Sequence, residues 1–160
     1  MIRRFVVDSS PLILLHRISQ LDLLPGLAEA VVVPQTVFGE IAAKLNDRLA
    51  QTLAEHPGFR AVEDEPVPAK VVTWNLGAGE TSVIAYCMAN VGCRAVLDDQ
   101  RGRRCAQALN VPLFGTLGVV VEARRRGLLP AARPVLEALE QVGFRIEPSL
   151  LAEALRQVGE

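Results

Sequence analysis

Four acidic positions lie far apart in this chain, each where an apolar run hands over to a helix or within that helix's first turns. They are Asp8 in RFVVD, Glu40 in VPQTVFGEIA, Glu80 in LGAGETSVIAYC, and the pair Asp98 and Asp99 after AVL. Carboxylates held together repel one another unless a cation sits among them. If these positions converge they form a divalent-metal site, and a site of oxygen donors alone points to phosphate chemistry. Oxygen donors suit Mg2+ or Mn2+ better than Zn2+. The two histidines, His16 and His56, fall outside every motif and read as structural.

Convergence needs a scaffold that brings remote stretches to one edge. Residues 4–7 are short, apolar and β-branched, and read as a buried strand. Ser10 and Pro11 read as the cap and first position of a helix to about Ser19. Residues 30–33 (AVVV) give the second strand. Pro34 opens a helix carrying Val37, Glu40, Ile41 and Leu45, and residues 46–56 continue as another. Residues 59–62 form a weak third strand, and the acidic, Pro-broken 63–69 a loop. Gly77–Ala78–Gly79 turns the chain into a helix over 80–91. Strands over 94–97 and 111–114 follow, each leading into a helix, to Asn110 and Arg126. Two closing helices cover 134–142 and 150–158. Short apolar strands alternating with helices mean an α/β chain whose sheet is mostly parallel and covered on both faces.

Parallel strands share one carboxyl edge, and open α/β sheets bind ligands there. Asp8 directly follows strand one, and Asp98 and Asp99 directly follow strand four. Glu80 joins them by helix geometry, because Val83, Ile84, Cys87 and Met88 stand on its face. Glu40 borders the stripe of Val37, Ile41 and Leu45, so it looks either inward or outward. Each position also has a plainer explanation: Asp8 as a cap of the first helix, although Ser10 is the better candidate there, Asp99 as a helix cap, Glu80 as a favourable charge in a first turn, and Glu40 as a partner of Lys44.

Size suits one domain over residues 1–160, with a C-terminal helical extension from about residue 134. Half of the residues are apolar and mean hydropathy is positive, which excludes extended disorder. A formal charge of −1 excludes coating of nucleic acid by bulk charge, but not a local basic surface. Cys87, Cys93 and Cys105 have no CxxC spacing and read as core thiols of a cytoplasmic protein. No apolar run is long enough to cross a bilayer.

The segments VVDSSPLI, VPQTVFGEIA, LGAGETSVIAY, AVLDDQRGRRCA and FGTLGVVVEARRRGLL, in this order, resemble the successive motifs of PIN domains. The similarity runs on to the ending GFRIEPSLLAEALRQVGE, and is greatest to a bacterial and archaeal branch long described as a domain of unknown function. The resemblance implies a three-layer α/β/α fold with about five strands in the order 3-2-1-4-5. It also implies a Mg2+- or Mn2+-dependent ribonuclease site. Many relatives are toxins of toxin–antitoxin pairs, similar to VapC, and many form homodimers. The family's four acids fall on Asp8, Glu40, Glu80 and Asp99. Two departures stand out: LDD replaces the usual T-x-D, so Asp98 serves instead of Asp99 or beside it, and glutamate replaces the usual third aspartate. Ser9, Ser10 and Thr116 match small polar positions near the family's site, suited to supporting ligands or contacting phosphate.

Metal-dependent cleavage of RNA is therefore expected, with Arg101, Arg103 and Arg104 gripping backbone phosphates. The alternative is a module that keeps the acidic pocket but only binds RNA or a protein such as an antitoxin. A phosphatase of another Rossmann-like fold would need a second aspartate two residues after Asp8, where Ser10 stands.

Overall fold

The central strand of the protein, β1 (Ile2–Val7), is apolar and buried on both faces over Phe5, Val6 and Val7, because helices cover both. The computed structural model describes the backbone of residues 1–44 and 47–160. Leu45, expected on the stripe beside Glu40, and Asn46, expected to open the next helix, lie outside the described residues. β1 pairs in parallel with β2 (Ala28–Pro34) on one side and β4 (Cys93–Val96) on the other. In register, Phe5 lies opposite Val31 and Arg94. β3 (Phe59–Val62) extends the sheet beyond β2, and β5 (Leu113–Phe114) beyond β4. Among the described residues the sheet has five strands, all parallel, in the order β3-β2-β1-β4-β5. Both the α/β class and the expected strand order hold.

Helices fill the crossovers. They are α1 (Ser9–Arg17), α2 (Leu23–Leu27), α3 (Gln35–Ala43), α4 (Asp47–Glu55), α5 (Ala69–Val72) and α6 (Ala78–Ala89). After β4 come α7 (Gln100–Ala108), α8 (Thr116–Arg125), α9 (Arg133–Gln141) and α10 (Pro148–Gln157). No helix among the described residues is long and apolar enough to cross a membrane. Phe5, Val6 and Val7 of β1 and Val31, Val32 and Val33 of β2 are buried, and Leu12, Leu15, Ile41 and Ile84 close over them. Emptying such a position, as in Phe5→Ala, costs about 3–5 kcal/mol.

Three local expectations are corrected. The first helix starts at Ser9, not Ser10, so Asp8 occupies the N-cap position with extended backbone (φ −78°, ψ 167°). Pro11 then lies in the first turn, where its missing N–H breaks no helical bond. The same helix stops at Arg17 because Ser19 takes a left-handed conformation (φ +58°). β2 starts at Ala28, two residues early, because α2 delivers the chain straight onto the sheet.

Candidate metal centre

The strand order reverses between β1 and β4, and Asp8 stands at that point. Its backbone N–H donates to the Val96 carbonyl at 3.2 Å, extending the β1–β4 ladder by one bond. Asp8 is an N-cap by position only: its side chain makes no capping bond. The residue is 4% exposed, and its Oδ1 is buried without a hydrogen-bond partner among the described residues.

Glu40 reaches the same place from α3 and is turned inward. Its Oε1 accepts from the Gly79 N–H at 2.9 Å and its Oε2 from the Ser9 hydroxyl at 3.2 Å. No ion pair joins it to Lys44 among the described residues. Gly79 records how close the two acids come. A Cβ built there would lie 2.6 Å from Glu40 Oε2 and 2.7 Å from Asp8 Oδ1, nearer than real Cβ contacts. The bare second position of α6 is what admits both carboxylates.

Glu80, the next residue, is half-buried. Its carboxylate folds back against Gly77, and its stem runs over Gly102 of α7, with Cγ 3.4 Å from where a Cβ would stand. Asp99 Oδ2 lies 3.7 Å from that same point, so Glu80 and Asp99 flank one glycine as Asp8 and Glu40 flank the other. Asp99 is exposed and caps α7, accepting from the Gly102 N–H at 3.0 Å.

Asp98 points elsewhere. Its Oδ1 accepts from the Thr116 N–H at 2.7 Å and its Oδ2 from the Thr116 hydroxyl at 2.6 Å. Thr116 is fully buried, so its hydroxyl anchors α8 and does not face a ligand. Ser10 is exposed on α1. The arginines after the aspartate pair are partly engaged. Arg101 donates to the Trp74 carbonyl at 2.6 Å, and Arg103 donates to the Leu97 carbonyl at 2.9 Å while lying beside Asp98. Arg104 is exposed.

The electrostatics follow from these contacts. Burial pushes the Asp8 carboxyl up to about 7, and the charges of Glu80 and Glu40 add to the rise. The Ser9 backbone amide and Lys44 oppose it. Asp98 is also raised by burial, against the pull of the Thr116 bonds and Arg103. A buried carboxylate oxygen with no donor, facing further carboxylates, has the character of half a site, and a hard divalent cation is the partner that suits it. Among the described residues, however, no three acidic, histidine or cysteine side chains stand together closely enough to hold an ion as they are. Of the acids named, Glu80 is folded back onto Gly77 and Asp98 is turned to Thr116.

Two features of this edge carry weight that sequence reasoning did not give them. Gly79 and Gly102 are each the bare backbone between two acids; the GAGE string placed Gly79 beside an acid but gave no hint of Asp8 above it. Asp64, read as part of a loop, accepts from the Thr36 N–H at 3.2 Å and the Thr36 hydroxyl at 2.5 Å, fixing the start of α3 and so the angle from which Glu40 enters. Away from Asp8, a groove of about 580 Å3 lies between α8 and α10, with Phe114, Leu117 and Phe144 in its walls, and it touches the acidic edge at Asp98.

Residues 4–160 match the family model described as a PIN domain. No curated protein matches the chain.

Proposed function

The chain belongs to the PIN-domain family, whose members are generally nucleases, and on that premise we propose that it is a Mg2+- or Mn2+-dependent endoribonuclease. The observation that carries the reading is the unpartnered Asp8 Oδ1, buried beside Glu40 at Gly79. Asp8, Glu40, Glu80 and Asp99 would hold the ion or ions. A bound divalent ion supplies charge to the scissile phosphate and makes water a better nucleophile at neutral pH.

The remaining roles belong to the chain itself. Ser9 and the Gly79 amide fix the Glu40 carboxylate, so that it enters the site already oriented. Glu80 would complete the set by leaving Gly77, a rotamer change that breaks no side-chain hydrogen bond among the described residues. Asp99 keeps its place through the Gly102 amide. Asp98, with both oxygens held by Thr116, is a positioning residue: it ties the end of β4 to the start of α8 and leaves ligation to Asp99. Arg104 is the arginine of its group best suited to phosphate, because Arg101 and Arg103 each hold a backbone carbonyl. The same reading carries an RNA substrate in the cytoplasm, a homodimer, and an antitoxin protein as the natural inhibitor.

The test is cleavage of single-stranded RNA by purified protein with Mn2+, compared with Asp8→Asn. Activity in the parent that disappears in the folded variant supports the assignment. A parent that cleaves no RNA or DNA, yet binds RNA, overturns it in favour of a non-catalytic binding module.

A further inference from the structure

The amino edge of the sheet carries the opposite charge. β1 and β4 begin side by side there, and a cavity of about 360 Å3 opens between Arg3, Gly92, Cys93, Arg94, Pro112 and Arg126. Its lining holds three guanidinium groups and no carboxylate among the described residues. Arg126 is already paired, with its Nε 2.8 Å from Glu122 Oε1. Arg3 and Arg94 have no carboxylate within ion-pair distance among the described residues.

Two details hold these arginines at the cavity wall. Gly92 takes a conformation that side chains rarely adopt (φ +92°), and the Arg3 guanidinium packs over its bare backbone, 3.5 Å from where a Cβ would stand. Arg94 lies over the Phe114 ring, 5.2 Å from its centre. That contact favours the charge but gives its N–H groups no acceptor. Like charges around one cavity repel, and repulsion among cations is relieved by an anion as repulsion among carboxylates is relieved by a metal. Arg3 and Arg94 together offer about ten N–H donors in planar forks, a geometry that matches a phosphate.

We propose that this cavity is a binding site for a phosphoryl anion, held by Arg3 and Arg94 with Arg126 at its rim. It lies roughly 20 Å from Asp8, the length of β1, and does not depend on the nuclease reading. The phosphoryl group belongs either to a free ligand such as a pyrophosphate or nucleotide, or to the backbone of a polynucleotide wrapping the sheet.

Calorimetric titration of the full chain with inorganic pyrophosphate tests the site, beside the double variant Arg3→Gln/Arg94→Gln. Binding in the parent that weakens at least tenfold in the double variant, with both proteins melting at the same temperature, supports the proposal. A parent that takes up no pyrophosphate at millimolar concentration, or a double variant that binds as the parent does, overturns it. Should the double variant unfold, Arg94→Lys alone serves, because it keeps the charge but loses the fork and should still weaken binding severalfold. Titration with a fluorescent single-stranded RNA in Ca2+ separates the sources. Unchanged RNA affinity assigns the site to a free phosphoryl ligand. A parallel loss, with the salt slope falling by about two, assigns it to the RNA backbone.

Discussion

Asp8 and Asp98 close adjacent strands of one sheet, and burial raises the pKa of both, yet they keep opposite accounts of their hydrogen bonds. Both oxygens of Asp98 are taken, one by the Thr116 amide and one by its hydroxyl. Asp8 leaves an oxygen buried and unpartnered, with Glu40 across Gly79. The difference separates a carboxylate that builds the fold from one that the fold holds in reserve. A raised pKa does not make that distinction; the list of partners does.

Exchange of each acid for a neutral relative puts the contrast under the greatest strain. Asp8→Asn should lower RNA cleavage by about a thousandfold and at the same time raise the melting temperature of the metal-free protein near pH 8. If that variant instead melts lower in EDTA, Asp8 is an ordinary structural acid and the contrast collapses.

The pH dependence of stability sharpens the same point. A carboxyl whose pKa is higher in the folded chain holds its proton more tightly there. The stability it confers is complete below the unfolded value of 3.8 and is lost as pH rises through about 7. Denaturant melts in EDTA should therefore show stability falling between these limits, by about 2–4 kcal/mol from Asp8. The fall should shrink in Asp8→Asn and in excess Mn2+. Uptake of the ion near pH 6 should also release a proton, detectable as a dependence of binding heat on buffer.

Asp98→Ala tests the other half. It strands a buried N–H and hydroxyl on Thr116, and should cost about 2–3 kcal/mol of stability in urea at any metal concentration. An Asp98→Ala protein of full stability would remove the structural assignment. The smallest effect belongs to Thr36→Val, which breaks the more exposed Asp64 clamp on α3. About 1 kcal/mol is expected, with a modest loss of Mn2+ affinity if the clamp aims Glu40.

The sheet was legible because RFVV and AVVV are runs that only a two-sided burial explains, and the acids at their ends marked its working edge. What escaped was information held in partners distant in sequence. Nothing near Glu40 said whether it faced Lys44 or the interior; Ser9 and Gly79, from two other elements, decide it. LDD could not tell which aspartate ties β4 to α8 and which caps α7 beside Glu80, since the choice rests on Thr116, eighteen residues beyond Asp98. The LLPGL stretch hid a short helix because proline and glycine are turn residues in most settings.

The central strand also joins two ends of opposite sign, carboxylates at one and guanidinium groups at the other. Within a chain of formal charge −1, the two ends of this strand thus form local poles. At low ionic strength the protein should be retained by both anion and cation exchangers, and concentrated solutions should associate head to tail. Both behaviours should fade near 0.1 M salt, where the screening length of about 10 Å is shorter than the strand that separates the poles.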